Sequence, residues 1–114
     1  MIIGLIIYES VAVLLLVIGL IQFNSKKPVG FYSGEKPPEA EKIGNVKKWN
    51  RMHGGLWFSY AAIFGITGAI GLIGSEKNLI WALLWVYGGG IIPLPIMAML
   101  HTKWRAQAEN GGIR

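Results

Sequence analysis

Residues 2–23 read IIGLIIYESVAVLLLVIGLIQF, 22 residues whose only acidic or basic side chain is Glu9. An α-helix rises ~1.5 Å per residue and about 20 apolar residues cross a bilayer's hydrocarbon core, so this stretch predicts a transmembrane helix. Working outward, Leu56 to Ile73 (18 residues) and Leu79 to Leu100 (22 residues) carry no acidic or basic residue at all. The chain therefore reads as all-α: one membrane domain, an integral bundle of three transmembrane helices at 2–23, 56–73 and 79–100. A connection at 24–55 and a tail at 101–114 complete it.

Composition agrees. Of 114 residues, 53% are hydrophobic and only 15% charged, which leaves no room for a separate soluble catalytic domain. The net charge of +5 comes from residues beside the spans, where they meet anionic headgroups, so the lipid bilayer is the expected partner and nucleic acid is not. There is no cysteine, which removes disulfides, thiolate chemistry and cysteine metal sites together. No Lys or Arg precedes the first span and no small-residue cleavage site closes it, so it is expected to persist as a span rather than a signal peptide.

Lys26, Lys27, Lys36, Lys42, Lys47, Lys48 and Arg51 crowd the first connection against Glu35, Glu39 and Glu41, whereas the second offers only Glu76 and Lys77. The positive-inside rule then puts the first connection and the tail, with Lys103, Arg105 and Arg114, in the cytoplasm, and the N-terminus and the Gly74 to Asn78 turn outside. The expected address is the cell membrane, crossed three times. Pro28, Gly30, Gly34, Pro37 and Pro38 break regular structure early in the connection. From Pro38 to His53 a helix is predicted, with Pro38 at its first position, acidic residues leading and basic residues following. Ile43, Val46 and Trp49 form a short apolar stripe on it, which predicts an amphipathic cytoplasmic helix in the headgroup layer, with Trp49 and Trp57 as interfacial anchors.

Span two carries Ala61, Gly65 and Ala69 at four-residue spacing, a smooth face suited to helix packing within the chain or with another copy. Span three runs Trp81, Trp85, Tyr87, Gly88, Gly89, Gly90, Ile91, Ile92, Pro93, Leu94 and Pro95. Pro93 and Pro95 cannot donate to the carbonyls of Gly89 and Ile91, so the helix is expected to kink or open at mid-membrane. Glu9, about 10 Å below the outer end of span one, falls in the same layer as Trp85 and Gly88, about 9 and 14 Å below the outer end of span three. A carboxyl at that depth must face the bundle interior. Glu9, Tyr8, Trp85, Tyr87, Gly89 and Pro93 are accordingly the candidate ligand or ion site.

His53 and His101 both fall at the cytoplasmic boundary, where antiparallel helices can bring them together. Two imidazoles are too few for a metal site, and although Glu35, Glu39 or Glu41 offers an oxygen, no metal-binding spacing is present. No cofactor is expected. No nucleophile motif, phosphate-cradling loop or catalytic carboxylate pair is found either, so an enzyme is not expected.

Around Gly30, Phe31, Tyr32 and Ser33, and again at Lys48, Trp49, Asn50, Arg51, Met52, His53 and Gly54, the chain resembles SdpI-like bacterial small membrane proteins. That family includes immunity proteins against a membrane-active toxin, and its longer members have six spans. The resemblance covers about a quarter of the chain and implies a half-size relative that assembles into oligomers. It also implies that Gly30, Tyr32, Trp49, Asn50 and Gly54 form a cytoplasmic partner-binding surface. The expected function is thus non-enzymatic binding, either toxin immunity or regulation of a larger membrane partner. The alternative is a small oligomeric transporter or channel subunit with Glu9 as a protonatable coupling residue.

Overall fold

The computed structural model describes residues 2–31, 35–37, 39–74 and 78–112, with Lys42 by its backbone alone. Of the residues given roles above, Tyr32, Ser33, Gly34, Pro38, Glu76, Lys77 and Arg114 lie outside that set. The described residues form five helices and no strand: α1 (Ile2–Phe23), α2 (Ala40–Ile43), α3 (Val46–Ile73), α4 (Leu79–Ile91) and α5 (Pro93–Glu109). Three helical rods, α1, α3 and the continuous pair α4 and α5, are each long and apolar enough to cross a membrane. Their outward side chains are what a lipid environment calls for: Ile3, Ile7, Leu14, Ile66 and Leu84 are more than 60% exposed. In water that surface would drive aggregation.

The molecule measures 54 × 22 × 22 Å, so it outreaches a hydrocarbon core of about 30 Å. The excess is at the end that carries the 24–45 connection, here the loop end. α3 is the reason. Its 28 residues comprise the apolar stretch and a polar extension from Val46 to Gly55 that stands about 15 Å beyond it.

That extension corrects one expectation. No single amphipathic helix spans 38–53. α2 ends after four residues at Gly44, whose φ of +82° favours glycine, and Asn45 starts a new helix by accepting the Lys48 N–H at 3.0 Å. Residues 46–53 thereby become the first turns of α3. Trp49 on these turns and Ile43 at the end of α2 are fully buried and pack with Ala108, Val29, Met52 and Trp104. The stripe expected on headgroups is a small core, and Trp49 is no interfacial anchor. Within the tail, α5 continues the third rod as helix through Glu109.

α3 is central, with α1 on one side and α4 on the other. At the α1 crossing, a Cβ on Gly19 would stand 3.0 Å from the Gly54 carbonyl oxygen, and one on Gly54 only 2.8 Å from the Gly19 oxygen. Farther along, Gly68 has no room for a Cβ beside the Tyr8 ring, which stacks on Phe64 with centroids 4.1 Å apart. Toward α4, Gly71 meets Trp85, and Gly89 of α4 is filled by Thr67. Small residues let the backbones approach, and in lipid that close packing is the main attraction between helices.

The proline run interrupts the third rod at Ile92. Ile92 keeps helical dihedrals (φ −57°, ψ −40°), so the rod loses bonds there without opening. Two tyrosine hydroxyls also donate to this rod, though not to the carbonyls that the prolines free: Tyr60 to the Gly90 carbonyl, and Tyr8 to the Val86 carbonyl at 3.4 Å.

Candidate functional site

The chemically densest region is at the loop end. Asn50, fully buried on α3, clamps the connection as it leaves α1. Its Oδ1 accepts the Val29 N–H at 3.0 Å, and its Nδ2 donates to the carbonyls of Ser25 and Lys27, both at 2.9 Å. The neighbouring Trp49 Nε1 donates to the Val29 carbonyl at 2.9 Å. A proline- and glycine-broken segment cannot satisfy its own backbone, and these two side chains do it.

Beneath the clamp lies a linear polar chain. His53 Nδ1 meets the Trp49 carbonyl at 2.9 Å, His53 Nε2 meets His101 Nδ1 at 2.8 Å, and His101 Nε2 meets Glu35 Oε2 at 2.7 Å. The Trp49 carbonyl can only accept, so His53 Nδ1 donates. One proton then lies between the two imidazoles and one between His101 and Glu35. With Glu35 ionised, its carboxylate can only accept, so His101 Nε2 donates to it. Desolvation works to raise the Glu35 pKa. It is outweighed by the Phe31 N–H at 2.8 Å, by the His101 hydrogen bond and charge, and by Arg105 at 3.7 Å, so the carboxyl is held below its ordinary value. Arg105 also donates to the Lys36 carbonyl at 3.1 Å.

Aromatic rings wall the chain in. Phe31 stacks on His101 at 4.9 Å, Trp49 lies 4.2 Å from His53, and Trp104 meets His53 edge-on at 5.4 Å. With His53 at 0% and His101 at 5% exposure, the chain ties loop, α3 and α5 together. Among the described residues no group of three or more His, Cys, Asp or Glu side chains is arranged to hold a metal. The imidazole nitrogens point at one another at hydrogen-bond distance.

Because the Glu35 carboxyl is more acidic folded than unfolded, its ion pair stabilises the fold fully above the ordinary value of 4.5 and is lost as pH falls below it. Thermal midpoints in detergent are expected to drop below about pH 4.5 in the wild type. In Glu35→Gln they should start lower at neutral pH and lose that acid-side slope. Parallel curves for the two proteins would show that the pair contributes nothing.

The second region is mid-bundle. Glu9 does not join the Gly-Pro run. Its Oε2 lies 3.1 Å from where a Cβ on Gly65 would be, on α3, and its Oε1 is buried without a hydrogen-bond partner. The residue that reaches span three at that depth is Tyr8. Of the other residues grouped with Glu9, Trp85 packs on Gly71 and lies 5.5 Å from Trp81, Tyr87 is 56% exposed, Gly89 is buried against Thr67, and Pro93 caps the rod's interruption. They form no common pocket with Glu9. Glu9 instead sits in an open apolar groove between α1 and α3, with Ala12, Leu16, Ala61, Gly65 and Ala69. The small-residue face of span two is thus turned toward span one.

Among the described residues, four positions assigned to a docking surface have internal duties. Trp49 and Asn50 are buried, Gly54 makes the α1 crossing, and the Gly30 carbonyl accepts from Gln22 at 3.1 Å. Residue spacing did not reveal the partnership of His101 with Glu35, nor the Asn50 clamp. The available hint was one polar side chain, Asn50, facing a proline-broken loop. No protein-family model, curated protein or solved structure matches the chain.

Proposed function

We propose that this is a multi-pass protein of a bacterial inner membrane, with the loop end in the cytoplasm, that works by binding a membrane partner rather than by catalysis. One observation carries the reading: the lipid-facing α1/α3 groove holds a buried carboxyl oxygen with no partner. Lipid tails cannot satisfy that oxygen, whereas a transmembrane helix bearing a hydroxyl or amide donor can, and the small residues of the groove admit its backbone. The positive-inside distribution supports the orientation. An immunity or regulatory role, as the likeness to SdpI-like proteins implies, is the form this binding takes.

A photo-crosslinking residue at Val13, which lines the groove, tests it in native membranes. The expected result is a discrete adduct, to a second copy or a larger protein, reduced at least tenfold by Gly65→Leu. Glu9→Gln, which keeps hydrogen bonding, should retain the adduct, and Glu9→Leu should lose it. Lipid-only labelling of the wild type, together with pH-dependent solute flux in proteoliposomes, would overturn binding in favour of transport through Glu9.

A further inference from the structure

We propose that the cleft between the end of α1 and the start of α3 is a headgroup site for one anionic phospholipid, its phosphate seated among Lys26, Lys47 and Arg51. These three side chains line the cleft with Phe23, Asn24 and Val46, and no acidic residue borders it. The adjoining cleft adds Lys48. Among the described residues the ion pairs are those of His101, Arg105, Glu35 and Glu109, so Lys26, Lys47 and Arg51 enter none.

One of the cations, Lys47, also stands against the local helix electrostatics. Lys47 and Lys48 occupy the first turn of α3, which has no acidic residue. Positive charge there opposes the helix dipole. Lys47 lines the same cleft as Arg51, and a phosphate at the depth of Arg51 lies within reach of its side chain.

Depth selects lipid as the source. Arg51 lies over the Phe23 ring, 5.4 Å from its centroid, at the last turn of α1. It precedes the apolar stretch at Leu56 by five residues, about 7.5 Å of helix. The headgroup layer is roughly 5–7 Å thick on each side of the hydrocarbon, so the cleft opens at phosphate level. A choline headgroup would bring a fourth cation into it, whereas phosphatidylglycerol brings none. Each cation near an anionic surface contributes about a fivefold preference, and three together about a hundredfold.

The inference rests on the membrane reading but not on the Glu9 groove. The test places the full chain in nanodiscs of four parts phosphatidylcholine to one of phosphatidylglycerol, strips them gradually and weighs the retained lipid by native mass spectrometry. Phosphatidylglycerol is expected to be retained at least tenfold over its share. The triple variant Lys26→Gln, Lys47→Gln, Arg51→Gln should abolish the enrichment, while Lys36→Gln with Lys103→Gln leaves it. Excess inorganic phosphate should not displace the lipid. Wild-type retention in the ratio supplied overturns the site without any variant. Equal loss in the control pair reduces it to general charge, and displacement by phosphate removes the commitment to lipid. Crosslinking at the α1/α3 groove is read separately, so either proposal can fail alone.

Discussion

Asn50→Leu is expected to free the connection between α1 and α3 and to destabilise the fold more than any other single polar deletion. The substitution is close in size, so packing changes little. What changes is the hydrogen bonding of a fully buried site: the Val29 N–H and the carbonyls of Ser25 and Lys27 lose their partner together. Leaving a buried polar group unsatisfied costs about 1–3 kcal/mol, so three together cost on the order of 3–9 kcal/mol, less whatever water recovers by entering. The Val29 amide is the reporter. Its hydrogen exchange should accelerate about a hundredfold or more, and tryptic cleavage after Lys26 should quicken in step. The Trp49 bond to the Val29 carbonyl would then be strained too, since both side chains hold the same residue. Unchanged exchange at Val29 would mean that the loop holds itself, and the account of the loop end would fail.

The spans were legible because length and apolarity decide them: α1 begins and ends where its sequence does, at Ile2 and Phe23. Depth was legible too, since helical rise is fixed. Azimuth was not. Tyr8 and Glu9 share a layer, yet one residue turns a helix by about 100°; Tyr8 reaches α4, while Glu9 turns to Gly65 of α3. Nothing in the local pattern distinguishes the two, because the choice was made by the Gly68 notch on another helix. The segment 38–53 failed for a different reason. Its charges and periodicity are those of one helix, but Gly44 ends the first piece and Asn45 caps the second. The histidines could be brought to the same end by topology, whereas their carboxylate partner could not be chosen from three glutamates without knowing how the loop folds back.

Gly54→Leu should separate α1 from α3, and its neighbour provides the control. A Cβ at Gly54 would lie 2.8 Å from the Gly19 oxygen and 2.9 Å from the Phe23 nitrogen and Cβ. Backbone atoms of a helix cannot swing aside as a side chain does, so the helices must part. Overpacking typically costs about 1–3 kcal/mol, and a leucine against backbone belongs at or beyond the upper figure. At Gly55 a Cβ would meet nothing within 4 Å. Gly55→Ala should therefore be neutral or add up to about 1 kcal/mol through better helix propensity. Unfolding in a detergent titration is the measurement, with both variants on one axis. Separation at this crossing also pulls Gln22 from the Gly30 carbonyl and Phe23 from beneath Arg51, so anionic lipid retention should fall with stability in Gly54→Leu and stay intact in Gly55→Ala. If the two neighbouring variants behave alike, the crossing is not held by close backbone approach, and the clefts beside it need another origin.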